Sequence, residues 1–188
     1  MNLKIPDNKV YLALGRKIPS RWKMRTSAIK PVVVFDATVN KPLGWDIVPE
    51  GGWQGIIYAS FSTGVQQIKL TKLTLLWKRD NKAAGTVNIS IAINDDNKPG
   101  DKLETLASAN IGMLPVGQQW IVIRLNGTHV LSANTRYWLE ITGTGAPGSI
   151  AYSRHHEGVG ALTEFYKNAY GLHPNRATGP YVLRLEGV

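Results

Sequence analysis

The alternation of apolar and polar side chains with a period of two is the feature that most limits how this chain can fold. In residues 86–94 (TVNISIAIN), every second position from Val87 to Ile93 holds valine or isoleucine. The same period returns in residues 118–127 (QQWIVIRLNG). Successive side chains of a β-strand point to opposite faces, so this period predicts strands that are buried on one face and exposed on the other.

Turn residues separate these segments at intervals of roughly 8–12 residues, the spacing typical of a β-sandwich. Strands are predicted at residues 30–39, 52–63, 68–78, 86–94, 102–111, 118–127, 137–142, 148–156 and 181–188. Residues 42–52 are predicted to be a loop and residues 97–100 a turn. Residues 158–180 are predicted to be irregular, with a single turn at 161–169.

Positive charge is concentrated at the N-terminus. The 188-residue chain has a formal net charge of +9, and residues 1–30, with eight basic side chains and one acidic one, contribute +7 of it. Pro6, Gly15 and Pro19 interrupt any helix in this segment. The sequence therefore predicts a basic extended arm at residues 1–30, followed by a single β-sandwich domain at residues 31–188.

Two properties of the sequence exclude several kinds of site and segment. It contains no cysteine, which excludes disulfides, thiolate metal sites and a cysteine nucleophile. No segment is apolar enough to span a bilayer, and the N-terminus lacks the order of basic, apolar and small residues found in signal peptides. We therefore expect synthesis in the cytoplasm and no membrane partner.

Four features follow one another from about Gln67 to the C-terminus. They are the strand VNISIAIND, the turn at residues 97–100, Trp120 with alternating apolar residues after it, and LSANTRYWLEITG. This order resembles the jelly-roll domains of bacterial surface proteins of the choice-of-anchor type and, more loosely, carbohydrate-binding modules. The resemblance implies an all-β, jelly-roll sandwich of two antiparallel sheets. With its arm, the chain also looks like the small surface proteins of phage particles, whose arms tie neighbouring subunits together.

An acidic, turn-rich break follows the strand at residues 86–94. It holds four side chains with oxygen donors of the kind that calcium prefers, Asp95, Asp96, Asn97 and Asp101. The break lacks the spacing of a calcium-binding loop, and turns also require Asn, Asp, Pro and Gly. A plain turn is the preferred interpretation, and calcium is the one cofactor that stays open.

Residues suited to acid–base or metal chemistry form one cluster, His155, His156 and Glu157. Neighbouring residues of a strand point to opposite faces, so the two imidazoles do not easily reach one ion. Glutamates that are candidates for glycoside cleavage occur at Glu140, Glu157 and Glu164. No nucleophile elbow, P-loop or zinc motif accompanies them, and we expect no enzymatic activity.

Six Trp and seven Tyr residues make a stronger argument for binding, because flat aromatic rings anchor ligands and protein interfaces. Trp138 alternates with the apolar positions of its own strand, so it points outward or into a second layer. The candidates for sugar stacking or surface contact are Trp138, Tyr152, Tyr166 and Tyr170.

The arm carries the residues predicted to mediate assembly, Arg16, Lys17, Arg21, Trp22, Lys23 and Arg25. Trp and Arg are enriched in the cores of protein interfaces. The sequence therefore favours a non-catalytic structural or attachment protein at a virion or extracellular surface, such as a phage capsid decoration or tail accessory protein. Its expected partner is protein, either further copies of itself or a larger shell. The alternatives are a carbohydrate-binding module and, third, a nucleic-acid-binding protein that uses the arm.

Overall fold

The computed structural model describes residues 30–38, 44–47, 56–79, 81, 84–144, 150–154, 164–168, 171–174 and 183–188. For 44–47, 78, 150–154, 164, 166–168 and 174 it describes the backbone only. Apart from Lys30, all of these residues belong to one compact unit, Pro31–Val188. Of the predicted arm at residues 1–30, residues 1–29 lie outside the described residues.

The described residues form twelve strands and one short 3-10 turn at Ile111–Met113. The strands are β1 (Val32–Asp36), β2 (Gly44–Ile47), β3 (Ile56–Ser62), β4 (Leu70–Arg79), β5 (Thr86–Asp95), β6 (Lys98–Asn110), β7 (Gly117–Arg124), β8 (Arg136–Thr144), β9 (Ile150–Arg154), β10 (Glu164–Asn168), β11 (Gly171–Pro174) and β12 (Leu183–Gly187).

The strands form two six-stranded antiparallel sheets. In the first sheet, β7 pairs with one edge of β4, while β12 and then β9 pair with the other edge. β1 extends this sheet beyond β12, and β2 extends it beyond β9. The order of the second sheet is β11-β10-β3-β8-β5-β6.

Eight of these strands have the nested pairing of a jelly roll. β1 pairs with β12, β3 with β8, β4 with β7 and β5 with β6, so the first half of the chain pairs with the second half in reverse order. The resulting four-stranded layers are β1-β12-β4-β7 and β3-β8-β5-β6. This arrangement confirms the predicted fold class, an all-β jelly-roll sandwich of two antiparallel sheets.

The main core lies between the facing sides of the two sheets, and it collects every second residue of the central strands. Core residues with no more than 2% of their surface exposed include Leu73, Leu75, Trp77, Val87, Ile89, Ile91, Leu139 and Ile141. In β5, β7 and β8 the period of two correctly predicted which residues face this core, apart from Ile93, which is 36% exposed. The opposite faces of β5 and β8 were predicted to be exposed but are also buried, since Ser90, Ala92, Trp138 and Glu140 are each no more than 5% exposed.

Asp96 and Asn97 connect β5 to β6 in a two-residue hairpin. Their φ angles are 44° and 62°, and Asp95 pairs with Lys98 on either side of them. Positive φ at both central positions is the property of the type I′ turn, whose twist matches that of the flanking strands. The turn predicted at residues 97–100 was placed too late, since Pro99 and Gly100 lie in β6.

Three peripheral strands were not predicted from the sequence. β2 lies in the predicted loop at residues 42–52, and β10 and β11 lie in the stretch predicted to be irregular. All three extend the edges of a sheet, through pairing of β2 with β9 and of the β10–β11 hairpin with β3. Short segments with Gly and Pro carry little local strand signal, so their distant partners determine them.

One carboxylate holds the loop that follows β7. Glu104 in β6 accepts hydrogen bonds from the Thr128 amide at 2.8 Å, the Thr128 hydroxyl at 2.9 Å and the His129 amide at 3.0 Å. These amide hydrogen bonds, that of Thr128 first, lower the pKa of Glu104. The amides of Thr128 and His129 have no backbone partner in a described strand, and the Glu104 carboxylate satisfies them.

Replacing Glu104 with glutamine is expected to lower the free energy of unfolding at pH 7 by about 1–2 kcal/mol, because charge-assisted hydrogen bonds are lost. Because the pKa of Glu104 is lower in the folded protein than its ordinary value of 4.5, the carboxylate stabilises the fold fully at pH values above 4.5. This stabilisation is lost as the pH falls through the pKa of the folded protein. Urea unfolding of both proteins should therefore show a smaller difference at about pH 3 than at about pH 7. An equal difference at both pH values would contradict this role.

Candidate binding groove

A shallow groove of about 370 Å³, wide open to solvent, lies on the outer face of the first sheet. Its lining residues come from β4, β7, β12 and the segment just after β1: Lys72, Thr74, Trp120, Arg184, Glu186 and Thr38. It combines one aromatic ring with hydroxyl groups and with charges of both signs.

The period of two explains why these side chains share one face. In β4, Leu73 and Leu75 point into the core, so Lys72 and Thr74 point out. In β7, Ile121 and Ile123 point inward, and in β12 Leu183 and Leu185 do so. Trp120, Arg184 and Glu186 therefore lie on the outer face. The pairing of β4 with both β7 and β12 then brings these residues to adjacent strands.

Trp120 is the large aromatic side chain that the described part of the groove offers to a ligand. It is 48% exposed, and its cross-strand neighbour on the same face is Leu76, which is 6% exposed. A ring packed beside a buried leucine in a regular ladder is held in place, while about half of its surface faces solvent.

An ion-pair network crosses three strands beside Trp120. Glu186 forms ion pairs with Lys72 through Oε2 and with Arg184 through Oε1, the second at 3.3 Å. Arg184 also reaches Oδ2 of Asp36 at 3.5 Å. The side chains of Lys72 and Arg184 are 40% and 38% exposed, whereas that of Glu186 is 8% exposed. The cations therefore face solvent, and the Glu186 carboxylate lies beneath them.

Asp36 anchors the end of this network. Burial raises its pKa, but hydrogen bonds from the Thr38 hydroxyl and amide, together with the charge of Arg184, outweigh burial and lower the pKa. The Thr38 amide and hydroxyl lie 2.9 and 2.5 Å from Oδ1 of Asp36. The network therefore keeps Asp36 ionised and fixes Arg184 at the rim of the groove.

Trp138, a predicted stacking residue, lies on the outer face of the second sheet but is 0% exposed. It belongs to a small second cluster with Tyr58, Ala92 and Phe165. Its ring meets Phe165 edge to face at 5.4 Å, and its indole N–H donates to Asn94 Oδ1 at 3.1 Å. The structure thus corrects the prediction of a sugar-stacking role for Trp138, because the indole is packed as a core residue.

A buried carboxylate lies beside Trp138 in β8. Glu140 is 5% exposed, and Oε1 lies 2.7 Å from the Lys102 ammonium. Burial, then the charge of Glu140 and a hydrogen bond with it, raise the pKa of Tyr58 well above its ordinary value. The Lys102 ammonium therefore balances the charge of Glu140, and the carboxylate also interacts with the Tyr58 phenol.

Several predicted site residues lie outside the described residues or are described by their backbone alone. The first group contains Arg16, Lys17, Arg21, Trp22, Lys23, Arg25, His155, His156, Glu157 and Tyr170. The second contains Tyr152 in β9 and Glu164 and Tyr166 in β10. Their predicted roles stay predictions.

The acidic break that was considered for calcium is the hairpin turn. In the described ranges, no group of three or more His, Cys, Asp or Glu side chains is arranged to hold a metal ion. The Asn97 amide oxygen accepts a hydrogen bond from Arg136 at 2.7 Å, so a guanidinium already contacts this oxygen. Turn geometry accounts for Asp96 and Asn97 without a cation.

Sequence reasoning did not select the groove residues, although the signal for Trp120 was present. Ile121 and Ile123 share one face of their strand by alternation, so Trp120 must lie on the opposite face. No sequence signal indicated that Lys72, Arg184 and Asp36 would meet, since they lie far apart in the chain. Their proximity depends on the pairing of β4, β12 and β1.

No helix among the described residues is both long and apolar enough to cross a membrane. In comparisons with known proteins, no family model matches the chain, and no curated protein matches it significantly. The resemblance to choice-of-anchor domains and carbohydrate-binding modules therefore stays a prediction about family, and the groove is the basis for a functional proposal.

Proposed function

We propose that this chain is a non-catalytic attachment protein and that the groove on the outer face of the first sheet binds a saccharide. The observation that carries the proposal is Trp120, half exposed beside hydroxyl and charged groups. A pyranose ring has an apolar C–H face that fits an aromatic ring, while its hydroxyl groups need donors and acceptors at the rim. Thr38, Thr74, Lys72 and Arg184 supply such groups.

The exposed charges favour an acidic saccharide. Lys72 and Arg184 present their cations to solvent, whereas the carboxylate between them is nearly buried. An arginine or lysine that is already ion-paired still has further N–H donors for a ligand carboxylate.

The carboxylates of the network support binding without hydrolysis. Glycosidases need a carboxyl group with a raised pKa as the general acid. The pKa of Asp36 is lowered, and both oxygens of Glu186 are ion-paired. Neither group is prepared to donate a proton to a glycosidic oxygen.

Display on an assembled particle, such as a phage virion, forms the second part of this proposal. It rests on the sequence of residues 1–30, with their basic side chains and Trp22. Deleting residues 1–30 is expected to prevent co-assembly with a partner protein while sugar binding is retained. DNA binding that is lost with the arm and falls steeply with salt would favour nucleic acid as the partner of the arm.

Replacing Trp120 with alanine is expected to weaken saccharide binding roughly fivefold or more, because truncation of a central Trp commonly costs over about 1 kcal/mol. A glycan array with acidic and neutral oligosaccharides in matched pairs identifies the probe, and calorimetry measures its affinity. Trp120→Phe should retain part of the affinity, and Val130→Ala, in an exposed loop outside the groove, should retain all of it.

Salt dependence tests the acidic preference separately. Affinity for an acidic oligosaccharide should fall as ionic strength rises, whereas affinity for its neutral counterpart should not. Binding of neutral glycans alone would overturn the acidic preference. If no glycan binds in a way that depends on Trp120, the saccharide proposal itself is wrong.

A further inference from the structure

Among the described strands, β7 lies at an edge of the first sheet, next to β4. It pairs with β4 over eight residues, from Lys72 opposite Arg124 to Arg79 opposite Gly117, with no bulge. None of the described strands pairs with its other edge. This edge is therefore long and regular, the geometry that accepts a further strand.

The backbone groups on that edge can be identified from one hydrogen bond. The Leu125 amide donates to the Thr71 carbonyl at 2.9 Å, so Leu125 directs its backbone groups toward β4. Backbone direction alternates along an antiparallel strand. The residues whose amide and carbonyl groups point to the open edge are Gln118, Trp120, Val122 and Arg124.

β7 lacks the features by which natural edge strands avoid pairing. Edge strands are commonly protected by Lys, Pro, bulges or short length. β6, at an edge of the second sheet, has Lys98, Pro99 and Lys102 and three irregularities of register. β2 and β11 have four residues each. Residues 117–123 of β7 carry neither a charge nor a proline.

Apolar side chains are exposed along this unprotected edge. Trp120 is 48% exposed and Val122 is 63% exposed, both on the outer face of the sheet. Aromatic and β-branched residues gain stability when they face each other across neighbouring strands. The strand therefore offers a partner both backbone hydrogen bonds and apolar contacts.

We propose that β7 pairs antiparallel with β7 of a second copy, with Ile121 on the two-fold axis, so that the two first sheets become one continuous sheet. This register places each Trp120 opposite Val122 of the partner copy and each Gln118 opposite Arg124. It keeps outer-face residues opposite outer-face residues, which a shift by one residue would not do. No like charges face each other.

The sequence of β7 favours a second copy over an unrelated strand. The pattern around Ile121 is self-complementary. The two-fold axis gives two Trp120–Val122 pairs and two Gln118–Arg124 pairs, in which an aromatic residue faces a β-branched one and an amide faces a guanidinium. With Trp120 on the axis instead, Val122 would face Gln118 and Arg124 would face Val116, and both Trp120–Val122 contacts would be lost.

Light scattering of the full chain after size exclusion tests the pairing. Val122→Pro removes an amide that points to the open edge, and proline is tolerated in edge strands where the N–H faces away from the sheet. It should weaken dimerisation at least tenfold, and the measured mass should fall toward that of the monomer at concentrations below the variant's dissociation constant. Val122→Thr keeps the amide and the branched shape and should keep the mass of the wild type.

A charge pair tests the register and decides the matter if circular dichroism shows that the proline variant is misfolded. Gln118→Arg places like charges opposite each other twice and should weaken the dimer roughly fivefold. Adding Arg124→Glu should restore it. The proposal is overturned by a wild type that is monomeric at all concentrations, by a folded Val122→Pro protein of unchanged mass, or by no restoration in the double variant. None of these outcomes depends on saccharide binding.

Discussion

Replacing Trp138 with alanine is expected to lower the free energy of unfolding by about 3–5 kcal/mol. The indole is fully buried on the outer face of the second sheet, where it packs against Phe165 and donates a hydrogen bond to Asn94. Truncation removes these contacts and leaves a cavity in a cluster of few residues. Urea unfolding followed by circular dichroism measures the loss without relying on tryptophan fluorescence.

Trp120→Ala is the matched control for this prediction. It removes the same side chain from the outer face of the other sheet, where the ring is 48% exposed, and should cost less than about 1 kcal/mol. Equal losses in the two variants would show that Trp138 does not act as a core residue. The pair also separates the stabilising tryptophan from the one that we propose binds sugar.

Replacing Gly187 with alanine is expected to lower the free energy of unfolding by about 2–3 kcal/mol, the cost of forcing an atom into a packed site. A Cβ atom at this position would lie 2.6 Å from the Lys69 carbonyl oxygen and 2.6 Å from Cγ1 of Ile68. Two backbone hydrogen bonds between Lys69 and Val188, both 2.9 Å long, hold the chain at this close approach. The backbone cannot move away without breaking them.

Gly64→Ala provides the comparison, because a Cβ atom there would have no neighbour within 4 Å. Its stability should change by less than about 1 kcal/mol. Thermal and urea unfolding of the two variants should place Gly187→Ala well below Gly64→Ala. Similar stabilities would mean that the C-terminal strand is not held against residues 68–69 as described.

The residues of the binding groove could be predicted only in part from the sequence. The alternation around Ile121 was sufficient to place Trp120 outside the core. The same alternation places Trp138 of β8 outside the core, and Trp138 was the tryptophan predicted to bind. Both tryptophans lie on outer faces, and only packing by neighbouring strands distinguishes them. Phe165, which covers part of Trp138, belongs to a hairpin for which the sequence showed no strand signal.

The hairpin turn at Asp96 and Asn97 could also be predicted only in part from the sequence. Asn and Asp tolerate positive φ, so the composition of the break was sufficient to predict a turn. Its position two residues before Pro99 was set by the register of β5 against β6, in which Asp95 meets Lys98. The sequence therefore predicted the turn but not which residues form it.

The sequence by itself determined the strand periodicity, the residues of β5, β7 and β8 that face the main core, and the class of fold, because these depend on neighbours in the chain and on burial of apolar area. Only the tertiary structure decided which tryptophan is exposed and how Lys72, Trp120, Arg184 and Glu186 come to share one groove. The ion-pair network beside the groove joins residues as far apart as Asp36 and Arg184, 148 positions along the chain, through strand pairing, which no local pattern specifies.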